Sequence, residues 1–132
     1  MANKKVYIID DDPVSLVLHK ATLIKMGVNE SAINCFVEPT IALNKISRLI
    51  EQDLELPKLI LIDYDMPEIN GIEFISKTNQ LLDLGQKIRF YVVSSHNLED
   101  LSESLNSLYI TAAITKPLTQ DKLKEAFCSA VI

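Results

Sequence analysis

Short apolar segments alternate with longer amphipathic segments along the chain. A short run that is apolar throughout is typical of a parallel strand with both faces covered. Five such runs occur, at residues 6–9, 33–37, 59–62, 90–93 and 112–114, and Asn34 interrupts the second of them. They predict five strands of a parallel sheet.

The intervals between the predicted strands carry apolar residues at the three- and four-residue spacing of an amphipathic helix. Pro13 suits the first turn of the first helix, and Gly27 lies just past its end. Strands that alternate with helices in this way predict an α/β fold. The apolar positions of the five helices are, in order, Val14, Val17, Leu18, Ala21 and Ile24; Ala42, Ile46, Leu49 and Ile50; Ile72, Ile75, Leu81 and Leu82; Leu98, Leu101, Leu105 and Leu108; Leu123, Ala126, Phe127 and Ala130.

Composition and charge limit the class of protein. A chain of 132 residues fits one domain. No apolar run approaches the roughly 20 residues that cross a bilayer, and the first run is too short for a secretion signal, so we expect a cytoplasmic protein without membrane contact. A net charge of −5 with no cluster of Lys and Arg argues against direct binding of nucleic acid.

Four residues that are not part of any acidic cluster receive structural roles. Cys35 and Cys128 lie in apolar surroundings and are predicted to be buried free thiols, without a disulfide or a metal framework. His19 is predicted to be a surface residue of the first helix, and Tyr64 a packing residue. None of the four is expected to carry chemistry.

Polar side chains follow four of the five predicted strands. In parallel α/β sheets, ligands bind outside the carboxyl ends of the strands, so these side chains are expected to converge on one edge. Asp12 precedes Pro13 and is predicted to cap the first helix. The residues that follow the strands are Asp10, Asp11 and Asp12; Asp63; Ser94 and Ser95; Thr115 and Lys116.

The types of side chain at this edge indicate phosphoryl chemistry. Asp10, Asp11 and Asp63 together concentrate negative charge, which favours a hard divalent cation, and Mg²⁺ suits carboxylates combined with phosphate oxygens. A carboxylate beside such an ion can attack a phosphoryl group and form an aspartyl phosphate. Lys116 can balance charge on the phosphoryl oxygens, and the Ser94 hydroxyl can donate a hydrogen bond to one of them.

Four segments in order, IIDDDP, LIDYDMPEING, YVVSSH and ITKP, resemble the four motifs of the response-regulator receiver domain of two-component signalling. The segment EPTIALNKI also resembles the second helix of that family. The resemblance implies a flavodoxin-like, doubly wound (βα)5 fold, with sheet order 2-1-3-4-5 and helices on both faces. It also implies that residues 1–132 form a single receiver domain with no output domain.

The resemblance assigns roles around the acidic cluster. Asp63 is the expected phospho-acceptor, Asp11 a direct metal ligand, and Asp10 an acid that acts largely through water. The backbone carbonyl of Asp65 completes the protein's expected metal ligands. Asn70 stands where the family more commonly has an aspartate, in a turn that Met66, Pro67 and Gly71 fit.

The function implied is that of a phosphorylated signalling protein. Ser94 and Lys116 occupy the hydroxyl and lysine positions of the family. The chain is expected to take a phosphoryl group from a phosphohistidine, on a sensor histidine kinase or a histidine phosphotransfer protein that docks on the first helix. It is then expected to bind a downstream protein through its fourth helix, fifth strand and fifth helix. It is not expected to be an enzyme beyond its own phosphorylation and dephosphorylation.

Departures from the family pattern concern the lifetime of the phosphorylated state and the residue that changes conformation to signal it. Asp65 and His96 occupy the two positions that flank the path of the hydrolytic water, and we hypothesise that this pair sets the lifetime of the phosphorylated state. Ala113 stands where the family usually has an aromatic switch residue. Tyr109 and Ile110 replace a glycine and an alanine upstream, and Tyr109 is a candidate substitute for that aromatic.

Two other functions remain open. A receiver-like binding module that signals without phosphorylation is left open by Ala113, although the complete set of acids, hydroxyl and lysine argues against it. The spacing of Asp10, Asp12 and Val14 fits the D-x-D-x-[TV] motif of haloacid-dehalogenase-like phosphatases. That family needs a further acidic pair after the lysine, where this chain has only Asp121 and Glu125.

Overall fold

The described strands and helices follow one another along the chain in the order that the sequence predicts. The computed structural model describes residues 5–83, 85–95 and 112–131. A short 3₁₀-helix at Glu30–Ala32 precedes the second strand. The other elements are β1 (Val6–Ile9), α1 (Pro13–Lys25), β2 (Ile33–Phe36), α2 (Pro39–Glu51), β3 (Leu59–Asp63), α3 (Gly71–Leu81), β4 (Arg89–Ser94), β5 (Ala112–Thr115) and the C-terminal helix (Gln120–Val131).

The strands form one parallel sheet in the order β2-β1-β3-β4-β5. The register aligns Ile9 of β1 with Ile62 of β3, and Asp63 of β3 with Val93 of β4. The predicted doubly wound fold and strand order are confirmed. All strands run in the same direction, so their carboxyl ends share one edge of the sheet.

Apolar side chains cover the sheet on both faces. One face packs with α1 and the C-terminal helix, in a cluster that includes Leu16, Leu61 and Leu123. The other packs with α2 and α3, in a cluster that includes Ala42 and Phe74. Every residue of β1 and β3 is buried, which explains why their sequences are almost wholly apolar. Each fully buried Leu or Ile side chain contributes about 1.5–3 kcal/mol, so the strands that carry the site are held rigidly.

Helix α1 begins where the sequence predicts, but several apolar side chains of its predicted apolar face are exposed to solvent. Its buried residues are Leu16, His19 and Leu23. Val14, Val17 and Leu18 belong to the pattern that predicts the helix, yet they are 65%, 68% and 60% exposed.

Two of the four predictions of structural roles are wrong. His19, predicted to lie on the surface, is only 7% exposed. Cys35, predicted to be buried, is exposed on β2, which lies at the edge of the sheet.

Some predictions fall outside the described residues. These are the fourth helix, marked by Leu98 to Leu108, and the site candidates His96 and Tyr109. The side chain of Cys128 is also outside them. Tyr64 packs, partly buried, on the α2 and α3 side of the sheet, as predicted. None of the described helices has both the length and the apolar character to cross a membrane.

Candidate functional site

Adjacent strand ends bring the acidic side chains together. Asp10 directly follows β1 and Asp63 is the last residue of β3, the central neighbour of β1. An oxygen atom from each of Asp10, Asp11 and Asp63 lies within 4.8 Å of the other two. Asp10 and Asp63 are buried, whereas Asp11 is exposed. The predicted convergence of these three carboxylates is confirmed.

The three consecutive aspartates have different surroundings. The Asp10 amide donates to the carbonyl of Phe36 on β2, which extends the pairing of β1 by one residue. Asp12 is the N-cap of α1: its Oδ1 accepts from the Val14 amide at 3.0 Å and its Oδ2 from the Ser15 hydroxyl at 3.2 Å. The predicted capping role of Asp12 is confirmed. Only Asp10 and Asp11 therefore remain to serve the acidic cluster.

Burial dominates the electrostatics of Asp10. It raises the pKa of Asp10 to about 6, and the negative charges of Asp63 and Asp11 act in the same direction. The Asp12 amide, which donates to Asp10 Oδ1 at 3.0 Å, opposes the rise in pKa. The other oxygen, Oδ2, is buried and meets no hydrogen-bond donor among the described residues. An unsatisfied buried carboxylate oxygen is energetically costly unless a cation or a proton occupies it.

Lys116 provides the positive charge of the site. Its Nζ atom lies 3.0 Å from Oδ1 of Asp63. Burial raises the pKa of Asp63, and the hydrogen bond from Lys116 opposes that rise. Burial also lowers the pKa of Lys116, but the nearby Asp63, Asp10 and Asp65 outweigh it and leave that pKa raised. Lys116 is thus held charged against a buried carboxylate.

Ser94 lies at the end of β4, the strand that pairs with β3, and Asp65 lies two residues past Asp63. Ser94 is the last residue of β4, is fully buried, and pairs with Thr115 of β5. The Asp65 amide donates to Asp63 Oδ1 at 3.3 Å. The Asp65 Oδ2 atom accepts from the Ser95 hydroxyl at 3.3 Å, which links the segment after β3 to the segment after β4. The carbonyl role of Asp65 stays a prediction.

The start of α3 fits tightly behind Asp63. Asn70 caps this helix by accepting from the Glu73 amide at 2.9 Å. A Cβ atom on Gly71 would lie 2.9 Å from the carbonyl oxygen of Asp63 and 3.1 Å from the Cα of Tyr64. Only glycine allows the helix to approach so closely, so Gly71 fixes how the chain leaves β3.

The acidic cluster is suited to a divalent metal ion. Three carboxylates offer oxygen atoms within one coordination sphere, and Asp10 Oδ2 is a buried acceptor without a protein donor among the described residues. Hard cations such as Mg²⁺ take oxygen ligands of this kind and keep several waters. Asp10, Asp11 and Asp63 would hold the ion, with Asp11 on the solvent side.

The model of the response regulator receiver domain family matches residues 6–127 of this chain. The chain belongs to that family. A two component response regulator from Cytophaga hutchinsonii is 26% identical to this receiver domain, with a TM-score of 0.82 over 99% of this chain and 98% of that one. A receiver domain (CheY-like) from Methylobacillus flagellatus has a TM-score of 0.78 at 19% identity, covering 96% of this chain and 98% of that one, and shows the shared fold.

A curated relative of this receiver domain is the "Uncharacterized 14.6 kDa protein in sodA1 3'region" of Leptolyngbya boryana. It is 28% identical over 135 aligned residues, which span 98% of this chain and 94% of the relative. The similarity therefore extends over nearly the full length of both proteins.

Ala113 is the β5 residue at which the sequence motifs predict a departure from the family pattern. Ala113 is half-buried on β5 and pairs with Val92 of β4. A methyl group at this position has no ring to rotate, so an aromatic switch cannot operate from residue 113. Tyr109, the candidate substitute, and His96, the candidate partner of Asp65, lie outside the described residues.

Two residues near the site escape sequence reasoning. His19 is buried on α1, where burial first, and then the charge of Lys116, lower its pKa to about 4, against the opposing effect of Asp12. Lys122, in the first turn of the C-terminal helix, donates to two backbone carbonyls beside Lys116. The only sequence signal for Lys122 is its unfavourable position, a cation at the positive end of a helix.

Proposed function

We propose that this receiver domain accepts a phosphoryl group from a phosphohistidine onto Asp63 in a Mg²⁺-dependent reaction, and signals through altered protein binding. The observation that carries the proposal is that Asp63 has both acidic and basic neighbours. Its carboxylate belongs to the acidic cluster with Asp10 and Asp11, and it also lies 3.0 Å from Lys116 Nζ. Negative ligands for a metal and a positive partner for phosphoryl oxygens thus meet at one carboxylate.

Each side chain has a defined role in the proposed transfer. A carboxylate oxygen of Asp63 attacks the phosphorus atom, the new O–P bond forms, and the N–P bond breaks with its electron pair returning to the donor imidazole. Mg²⁺ bound by the acidic cluster would neutralise charge on the transferred group. Lys116 moves from the carboxylate to a phosphoryl oxygen, and the Ser94 hydroxyl donates to another.

The exposed side of α1 supports docking of the phosphohistidine protein. Val14, Val17 and Leu18 form an apolar row on this helix, and each is at least 60% exposed. The row begins two residues after Asp12, beside the acidic cluster. Exposed apolar side chains grouped beside a reactive site are typical of a protein-binding surface. A donor seated there can present its imidazole to Asp63.

The proposed output is a shift between two arrangements of the β5 side of the domain. Ser94 pairs with Thr115, and the Lys116 amide donates to the Ser94 carbonyl at 2.8 Å. Movement of Ser94 toward a phosphoryl group therefore acts directly on the end of β5. Binding of a downstream protein to residues 98–108, β5 and the C-terminal helix would favour one arrangement. The proposed reaction includes no turnover beyond phosphorylation and dephosphorylation of the domain itself.

Phosphorylation by a small molecule tests the proposal. The protein is incubated with phosphoramidate and Mg²⁺, and its intact mass is measured. We expect one phosphoryl group on the wild type and on Asp53→Asn, a matched change of an exposed aspartate remote from the acidic cluster. We expect none on Asp63→Asn, or on the wild type with EDTA. Absence of the adduct on the wild type would support the phosphorylation-independent binding module instead.

A further inference from the structure

The side chain of Lys122 contacts the backbone on both sides of Lys116. Its Nζ atom lies 2.9 Å from the carbonyl oxygen of Thr115 and 3.1 Å from that of Pro117. These two carbonyls stand on either side of Lys116. One ammonium group, with three donors and no acceptor, can satisfy both at once.

Among the described residues, few other hydrogen bonds hold the backbone at Lys116. The Lys116 amide donates to the Ser94 carbonyl at 2.8 Å, which holds the residue to β4. The next residue, Pro117, has no amide hydrogen to donate. The chain also leaves the sheet here, because β5 ends at Thr115. Contacts to the carbonyls are therefore what can fix the peptide groups that orient Lys116.

The position of Lys122 in its helix supports a role outside that helix. Its amide donates to the Thr119 hydroxyl at 3.2 Å, so the residue lies in the first turn. A cation is electrostatically unfavourable near the N-terminus of a helix. The Lys122 ammonium group donates back to the end of the strand, to the carbonyls of Thr115 and Pro117. A locally unfavourable residue with specific contacts elsewhere is typical of a functional position.

We propose that Lys122 is a positioning residue for phosphorylation: by holding the carbonyls of Thr115 and Pro117, it keeps Lys116 directed at Asp63. This inference rests on the proposed function, in which Lys116 contacts the transferred group. Lys122 itself does not touch Asp63 or the acidic cluster. Its effect is transmitted through the peptide group that joins Thr115 to Lys116 and through the peptide group that follows Pro117.

The two hydrogen bonds from Lys122 to the carbonyls of Thr115 and Pro117 are called the tether below. Amide hydrogen exchange tests this tether without any phosphorylation. In Lys122→Met, which keeps the aliphatic chain and loses the donors, we expect the Lys116 amide to exchange about tenfold faster, as the loss of about one net hydrogen bond predicts. Core amides such as that of Ile62 should keep their rates. Lys122→Arg should restore slow exchange of Lys116. Lys124→Met, a matched change of an exposed lysine in the same helix, should have no effect.

The rate of phosphorylation by phosphoramidate with Mg²⁺ gives the second readout. We expect Lys122→Met to be about tenfold slower, less than the roughly 100-fold that a displacement of about 1 Å can cause. Lys122→Arg and Lys124→Met should match the wild type. An unchanged rate in Lys122→Met, or a slower rate without faster Lys116 exchange, would overturn the proposal. Should Lys122→Met not fold, Lys122→Gln poses the same question.

Failure of the inference can be told apart from failure of the proposed function. A wild-type protein that takes no phosphoryl group on Asp63 contradicts the proposed function. A wild-type protein that is phosphorylated at the same rate as Lys122→Met contradicts only the role of Lys122. The exchange measurement reports the tether in either case, because it needs neither metal nor donor.

Discussion

The ammonium nitrogen of Lys116 lies 3.0 Å from a carboxylate oxygen of Asp63, and the two side chains are 28% and 3% exposed. The Asp63 carboxylate is therefore almost completely shielded from solvent, whereas the Lys116 side chain remains partly exposed to it. Removing one member of such a pair leaves the other charge without compensation. The stability of the fold is thus coupled to the arrangement that we propose for phosphorylation.

Lys116→Met should destabilise the protein in a pH-dependent way. We expect a loss of about 1–3 kcal/mol in the free energy of unfolding near neutral pH, because the buried Asp63 carboxylate loses its partner. The substitution should raise the pKa of Asp63 further above its unfolded value. As the pH falls, Asp63 takes up a proton and no longer needs a cation, so the loss should shrink. Urea unfolding of the wild type and the variant at neutral and acidic pH measures the loss in unfolding free energy. An equal loss at the two pH values would refute this explanation.

Asp10→Asn should stabilise the metal-free protein. The pKa of Asp10 is about 6 in the fold, above its ordinary value of 3.8. The folded state therefore binds more protons than the unfolded state between these values, and stability decreases as the pH rises through about 6. With EDTA at about pH 8, we expect a gain of about 3 kcal/mol, the free-energy equivalent of roughly two pKa units. The gain should disappear near pH 4.

Asp11→Asn is the matched control for Asp10→Asn. Asp11 is exposed, so its neutralisation relieves only repulsion across a solvated gap. We expect a clearly smaller gain in unfolding free energy. Equal gains from the two substitutions would contradict burial as the main cause of the raised Asp10 pKa.

The strands and the site could be predicted for the same physical reason. β1 and β3 are buried on both faces, so their sequences are apolar throughout, and parallel strands bring the residues after them to one edge. The sequence alone therefore predicts that Asp10 and Asp63 lie together. The strand order follows from the family resemblance, because the hydrophobic pattern does not specify which strands are neighbours.

The face of α1 could not be predicted in this way. The helix has two apolar sides, one with Leu16 and Leu23 and another with Val14, Val17 and Leu18. Helical periodicity indicates that a helix forms, but it cannot tell which of two apolar sides meets the sheet. The burial of His19 and the tether from Lys122 depend on how separate helices and strands pack, which no local pattern records.

Mg²⁺ should stabilise the wild type, and this effect should weaken in acid. A ligand that binds only the folded state at about 100 times its Kd adds about 2.7 kcal/mol. Below about pH 6 a proton occupies Asp10 and competes with the ion, so the added stability should decline. Thermal unfolding with and without Mg²⁺ measures the effect. A shift of equal size in Asp11→Asn would show that the ion binds elsewhere.

His19→Leu should remove one source of acid instability. Burial lowers the pKa of His19 to about 4, whereas an unfolded histidine titrates near 6.5. Its contribution to stability is therefore complete above about pH 6.5 and is lost as the pH falls toward 4, by about 3 kcal/mol in total. Unfolding free energies of the wild type and the variant, compared across this range, isolate the contribution. Parallel profiles would contradict the burial of a neutral imidazole at His19 in the folded protein.

Locating the phosphoryl group tests the central claim most directly. After incubation with phosphoramidate and Mg²⁺, borohydride reduction converts an aspartyl phosphate to homoserine, and peptide mass spectrometry identifies the modified residue. We predict homoserine at position 63 in the wild type and at no aspartate in Asp63→Asn. Homoserine at position 10 would instead match the phosphatase motif formed by Asp10 and Asp12, and would contradict the assignment of Asp63 as the phospho-acceptor.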